Sequence, residues 1–368
     1  MKLLNFIKTH KLLFILLSVS LATSTLLRLL INYSEPFPEW YATTIYPIYI
    51  NTISRLLSPF PYSVSEILLI ILITYLLLQL IFGVHGVIRR KKKVMFPTAI
   101  CTFLLRIFTL ISILFTVYTL TCGINYHRTA FSNYLGFKTE TSSTEELKSL
   151  CLRLVKMCNN YSSQIPIDKN GLCILPENAN EIAVKSMRRL GTTYKTLAGY
   201  YPNPKPLLFS EFMSYQFLTG IYSPFTVEAN YNNHMPASNI PQTMCHELSH
   251  LRGFMREDEA EFISYLACIG SDNVVFKYSG SLTALSYCMN ALYRDAGATA
   301  YKEIYNNLSS QVKTQLQYDY QYWDKYRGTI ADIQDKVNDT YLKANSQTDG
   351  VKSYGRMIDL LLAYYKNR

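Results

Sequence analysis

Charge is scarce in this sequence and histidine scarcer still: 17% of the 368 residues are Asp, Glu, Lys or Arg, and six are His. A chain this poor in charge and 49% hydrophobic is too apolar for an ordinary soluble protein and too polar for a bundle held wholly in lipid. No CxxC spacing occurs among the eight cysteines, which excludes the cysteine-based zinc modules. No basic helix interleaved with aromatics appears in the C-terminal two thirds, so the formal charge of +10 does not point to nucleic acid as a partner. There is no internal repeat. After Cys122 there is also no apolar run long enough to cross a bilayer.

Ahead of Cys122 the pattern reverses. Residues 12–32, about 64–88 and about 97–121 each match the roughly 20 apolar residues that a spanning helix needs. The expected organisation is a membrane domain over 1–121 and a second domain over 122–368. Lys2, Lys8 and Lys11 precede the first span, and the run Arg89, Arg90, Lys91, Lys92, Lys93 separates the second from the third. Cations in short loops mark the cytoplasmic side, so the N-terminus is expected inside and the C-terminal domain outside. The basic run can also meet anionic head groups of the lipid bilayer. The loop over 33–63 is aromatic, proline-rich and nearly free of cations, as an external or interfacial segment would be. A cleaved signal peptide is the rival reading of the first span, but the apolar run is long and no small-x-small pattern follows it. Arg28 can snorkel from the outer end of its span, whereas Arg106 is expected to face another helix. An outside location permits disulfides, with buried free thiols as the default.

In the second domain, Ser143 or Thr144 can cap a helix with Glu146 in its first turn, and another helix is expected over about 178–200. Residues 206–232 mix aromatic and β-branched residues with Gly220 and Pro224, which suggests two short strands. The piece "GIYSPFTVEANYN" could offer an edge to which an extended peptide adds as a strand. Helical patterning then covers 239–252, 255–270, 279–296, 299–325 and 328–345, with a last helix in "SYGRMIDLLLAYYKN". The fold class is mainly α with a small sheet.

Chemistry concentrates in residues 243–262, "TMCHELSHLRGFMREDEAEF". His246 and His250 are four residues apart, so on a helix both imidazoles leave one face and can bind the same Zn²⁺. Glu247 lies beside that face, where a carboxylate can polarise a metal-held water and carry its proton. A chance match in a solvated helix is disfavoured by the uncharged flanks and by the rarity of histidine after Cys122. A catalytic zinc site needs a third protein ligand. A straight helix would carry Glu257 about 10 Å past His250, so the chain has to turn, and Gly253 is the natural place. A second helix from about Met255 then makes Glu257 the preferred third ligand, with Glu261 as the alternative or as the carboxylate that accepts an imidazole N–H. Asp258 and Glu259 are expected to form a solvated acidic first turn.

"HELSH" resembles the signature of zincin metallopeptidases, and "EDEAE" is similar to the Glu-x-x-Ala-Asp/Asn element that supplies the third ligand in gluzincin-type families. Glu261 stands where those families more usually have Asp or Asn. The metzincin turn is also approached by "HELSHLRGF", but Arg256 occupies the position of that family's third His. The three spans together with "GINYHR", "CHELSHLRGFMREDEAEFISYLAC" and "TDGVKSYGRMIDLLLAYY" resemble a bacterial membrane family known as domain of unknown function 3810. The resemblance implies a zincin-like α+β domain outside a bacterial cytoplasmic membrane, acting on a peptide or protein substrate. It further implies that "GIYSPFTVEANYN" pairs with substrate backbone and that Glu228 or Asn230 contacts substrate. His234 is expected to be a loop histidine, and Tyr354 and Arg356 to pack in the last helix. The expected function is a membrane-anchored zinc metallopeptidase; the alternative is a zinc-stabilised sensor or assembly protein that binds a peptide or envelope component without cleaving it.

Overall fold

Each apolar run folds as one helix: α1 (Lys11–Tyr33), α2 (Val64–Arg89) and α3 (Phe96–Tyr118). The computed structural model describes residues 2–89, 96–136, 143–350 and 356–366. All three apolar runs are long enough to cross a membrane, the third counted as Ile100–His127 through the π and 3₁₀ turns that continue α3. α1 packs along α3, where Ser24 and Thr116 meet at 2.8 Å, and Arg28 lies over the Phe115 ring. Arg106 does not face a neighbouring helix as expected; it is exposed, because the buried face of α3 runs through Leu105, Thr109 and Ser112 to one side of it.

The segment after α1 is not a loose interfacial loop. It is helical from 36 to 57, with π turns at Tyr41–Ile45 and Ile50–Ser54. Tyr46 and Ile50 are fully buried in the core that the C-terminal domain also uses, so that core draws on residues well ahead of Cys122.

Beyond the spans, α4 (Thr144–Ser162) begins at a capping box in which Ser143 and Glu146 satisfy each other's backbone N–H groups. α5 (Ala179–Thr193) stops earlier than expected and gives way to a 3₁₀ turn at Lys195–Leu197. Three strands follow instead of two: β1 (Lys205–Pro206), β2 (Gly220–Ser223) and β3 (Glu228–Tyr231), in the order β1-β3-β2. β1 runs parallel and β2 antiparallel to β3, which leaves β2 as an edge.

Then come α6 (Ile240–Leu251), α7 (Glu257–Ile269), α8 (Val274–Asn306), α9 (Ser310–Lys325), α10 (Thr329–Ala344) and α11 (Met357–Lys366). The break expected near 297 is only a kink, taken up by Gly297 at φ +76°. The real boundary lies at Ser309, whose hydroxyl accepts from Val312 N and caps α9. Every residue of α6 is buried, between β2 and β3 on one side and α5, α7 and α8 on the others. Met244, Leu248 and Leu251 are fully buried there, worth about 1.5–3 kcal/mol each. No disulfide forms among the described residues; seven of the eight thiols are buried and Cys101 is exposed.

Candidate metal centre

The turn after α6 decides the geometry. Gly253, at φ +86°, donates its N–H to His250 O at 2.8 Å, and Phe254 N reaches back to Ser249 O at 3.2 Å. These two bonds form a Schellman cap, which needs the left-handed conformation glycine adopts without strain. Arg256 is extended, and α7 starts at Glu257. Two further anchors hold the end of α6. Tyr46 donates its hydroxyl to Leu251 O at 3.1 Å, and Arg128 Nη1 donates to Arg252 O at 3.1 Å.

The turn brings Glu257 back to the two histidines. Glu257 Oε2 is 3.2 Å from His246 Nε2 and 3.5 Å from His250 Nε2, and the two Nε2 atoms are 3.0 Å apart. Ligand atoms held at about 2.0–2.1 Å by a small tetrahedral ion stand about 3.3 Å from one another. The three residues are buried, and they form a group that could hold a metal ion.

Tautomers sharpen the fit. His250 Nδ1 lies 2.8 Å from Phe254 O, and since a carbonyl only accepts, Nδ1 carries the proton. His246 Nδ1 faces Glu261 Oε1 at 3.5 Å, which favours a proton on that nitrogen too. If both imidazoles are neutral in these tautomers, the lone pairs of both Nε2 atoms and the Glu257 carboxylate converge on one point. Three acceptors converging there could hold a cation. The pKa directions follow from the same crowding. Burial opposes the charge on His246, yet the carboxylates of Glu261, Glu257 and Glu247 overcome it and raise its pKa to about 10. Burial also opposes ionisation of Glu257, but the adjoining imidazoles hold its pKa well below the usual range.

Glu261 is held in place from two sides. Gln242 Nε2 donates to Oε2, Tyr287 donates to Oε1 at 3.2 Å, and burial raises its pKa against the pull of His246. Glu247 is the contrast. It is 4% exposed, its Oε2 has no hydrogen-bond partner, and burial pushes its pKa to about 7 against the attraction of His246 and His250. β2 lies against it: a Cβ at Gly220 would stand 2.5 Å from Glu247 Oε1 and 2.8 Å from Thr243 Cγ2. His246, His250, Glu257 and Glu247 line a cleft of about 720 Å³, bordered by the edge strand β2, by Tyr118 at the end of α3 with Cys122 and Tyr126 beyond it, and by α10.

Other expected site residues lie elsewhere. Neither Glu228 nor Asn230 lines the cleft. Glu228 is buried against Lys205 and accepts from Val64 N at 3.3 Å and Ser65 N at 2.9 Å, so it caps the start of α2. Asn230 donates to Ile221 O and Glu228 O within the sheet. The expectation of substrate contact is thereby corrected for both: β3 is the central strand, and its side chains are consumed by the core. His234 is a loop residue 3.0 Å from Tyr322 Oη. Arg356 pairs with Asp258 at 3.0 Å and with Asp349, and Tyr354 falls outside the described residues. Asp258 and Glu259 are not a solvated turn either. Glu259 is buried, accepts from Phe131 N at 2.7 Å and pairs with Arg256. Tyr46, Gln242 and Tyr287, which position the centre, were not anticipated; each is distant in sequence from its partner or a common polar residue in a helical pattern.

The family profile described as "Protein of unknown function (DUF3810)" matches residues 41–362. The chain belongs to that family. The DUF3810 match starts at Tyr41, in the buried stretch that supplies Tyr46, and so includes this support of the ligand helix with the centre itself. Searches of curated proteins and of solved structures gave no match.

Proposed function

We propose that this DUF3810 protein is a membrane-anchored, zinc-dependent metallopeptidase of zincin type, working on the outer side of a bacterial cytoplasmic membrane. The observation that carries the reading is an unpaired, buried Glu247 carboxylate beside three convergent ligand groups, His246, His250 and Glu257, in an open cleft. A site meant only to hold a structural ion has no use for that carboxylate or for an opening. Zinc, when bound, would supply Lewis acidity for a peptide carbonyl and for the attacking water. Glu247 would take the proton of that water and pass it to the leaving amine, a role suited to a carboxyl whose pKa is about 7. Glu261 would hold His246 in its ligating tautomer, and the Phe254 carbonyl does the same for His250. The free edge of β2 would pair with the substrate backbone. The cationic residues that flank the apolar runs in the sequence, Lys2 to Lys11 and Arg89 to Lys93, support the orientation.

The test is zinc content and cleavage of a degenerate peptide library by the full-length protein in lipid nanodiscs. The native protein should hold one zinc per chain and cleave. Glu247→Gln should keep the zinc and lose about 10²–10⁴-fold in kcat/KM, the contribution of a general base. His246→Ala should lose both. Zinc without cleavage in the native protein would turn the reading to a peptide-binding sensor, and no zinc would remove the metal assignment.

A further inference from the structure

Two contacts fix where the cleft lies relative to the spans. At the end of α3, Tyr118 Oη donates to Asn345 Oδ1 at 2.6 Å, and both Tyr118 and Tyr126 reach Tyr341 Oη at 3.2 Å, which ties the last turns of α10 to the outer end of the third span. At the start of α2, Glu66 accepts from Leu208 N at 2.7 Å and Phe209 N at 2.8 Å. Leu208, Phe209 and Phe212 are all more than half exposed, an apolar platform beside the first turn of the second span, where the lipid interface would lie. The cleft adjoins the first of these points. One wall is Tyr118, Cys122 and Tyr126, and another is the stretch from Gln216 to Phe225 that follows the platform.

The mouth of this cleft is apolar in an unusual way. α10 is amphipathic, yet the stripe Ile330, Ile333, Val337, at helical spacing, is 48%, 56% and 56% exposed and leads to Val337 and Tyr341 in the cleft wall. Opposite it, Ile221 and Phe225 of the β2 hairpin are each 46% exposed. Val337 and Tyr341 share the cleft wall with Tyr118 and Tyr126 at the end of the third apolar helix, so a segment leaving the bilayer beside that helix meets the cleft directly.

From this placement we infer that the polypeptide taken into the cleft is itself anchored in the same membrane and enters as an extended segment just outside its own anchor. The inference rests on the reading of the cleft as a peptide site, and it goes further by naming the substrate class. The last turns of α10, at Val337 and Tyr341 beside Tyr118, receive the anchor-proximal residues, and the edge of β2 receives the segment that follows.

Tether length tests it, because a linker too short to span the distance gives no effective concentration at all. The full-length protein would be placed in vesicles with a degenerate decapeptide in three forms: free, joined to a palmitoyl anchor by two residues, and joined by about twenty, the shorter linker spanning about 7 Å. Cleavage is read on the native protein and binding on Glu247→Gln. The short-tethered peptide should be handled at least as well as the long-tethered one and at least ten-fold better than the free one. Val337→Asp should lower the ratio of short-tethered to free at least five-fold. If the short-tethered peptide is refused while the other two are accepted, or if all three are handled alike, the inference is overturned and the peptidase reading survives. If the short-tethered peptide binds best but nothing is cleaved, the hydrolytic reading fails and the anchored ligand stands. Binding of none of the three overturns both.

Discussion

Two clusters of buried carboxylate, one at the foot of the C-terminal domain and one at its centre, were solved by the fold in opposite ways. Glu228 is buried, but Lys205 answers its charge, two backbone N–H groups at the start of α2 answer its lone pairs, and Lys205 spends a further hydrogen on Leu57 O. Around His246 and His250 there are three buried carboxylates, Glu247, Glu257 and Glu261, and among the described residues no Lys or Arg pairs with any of them. The first cluster is closed, and its product is rigidity, since it clamps the sheet to the second span. The second is left short of Lys and Arg beside an open cleft, and that deficit is what supports the proposal of a site there. Burial of charge is common to both; completeness of pairing separates structure from function.

The largest effect should come from opening the closed cluster. Lys205→Ala leaves Glu228 buried without its cation and should cost about 3–5 kcal/mol, read as a lowered thermal midpoint in detergent. Replacing both partners, Lys205→Met with Glu228→Gln, should recover most of that, because no charge is then stranded. A loss in the double variant as large as in Lys205→Ala would show that the clamp matters for its shape alone. The reverse operation applies to the open cluster. Zinc at about a hundred times its dissociation constant should stabilise the protein by roughly 3 kcal/mol over the chelator-treated form, and Glu257→Ala should abolish the difference. A midpoint indifferent to chelator and zinc would count against the metal reading. A smaller change is expected from Glu261→Gln, which keeps the hydrogen-bonding shape but lightens the charge behind His246. Zinc affinity should fall about 10–100-fold with the fold intact.

How much of this could be read beforehand depends on sequence distance. His246, His250, the turn at Gly253 and the return of Glu257 follow from helical spacing and one glycine, all within twelve residues, and the Ser143 cap is equally local. Glu228 was misread for a related reason. In "TVEANY" a lone acid looks available, and only the fold shows that Lys205, twenty-three residues earlier, and Val64, on a span, converge on it. Tyr46 lies 205 residues from the carbonyl it holds, so no periodicity could announce it. Asp258 and Glu259 obeyed the local rule for a helix start, but partners from Arg356 and the Phe131 backbone overrode it. Local geometry carried the candidate ligands into view, while the contacts that support them come from chain segments that meet only on folding.

Asp319 tests the comparison between its extremes. Its carboxylate accepts from Gln315 Nε2 at 2.9 Å, Asn239 Nδ2 at 3.4 Å and Ser238 Oγ at 3.4 Å, and among the described residues no cation pairs with it. Burial raises its pKa to about 6 in spite of those three donors. The folded state therefore binds this proton more tightly than the unfolded chain, where an aspartate titrates near 3.9. Stability from this group is fully present below about pH 4 and is lost as pH rises through 6. A shift of about two units corresponds to at most about 3 kcal/mol, and partial exposure reduces it to about 1–2 kcal/mol. Asp319→Asn removes the titration, so the thermal midpoint of the native protein relative to the variant should fall between pH 4 and 7 and stay level above it. If that difference is flat across the window, neutral donors alone satisfy a buried carboxylate here, and the missing cation at the His246 cluster loses its force as a sign of function.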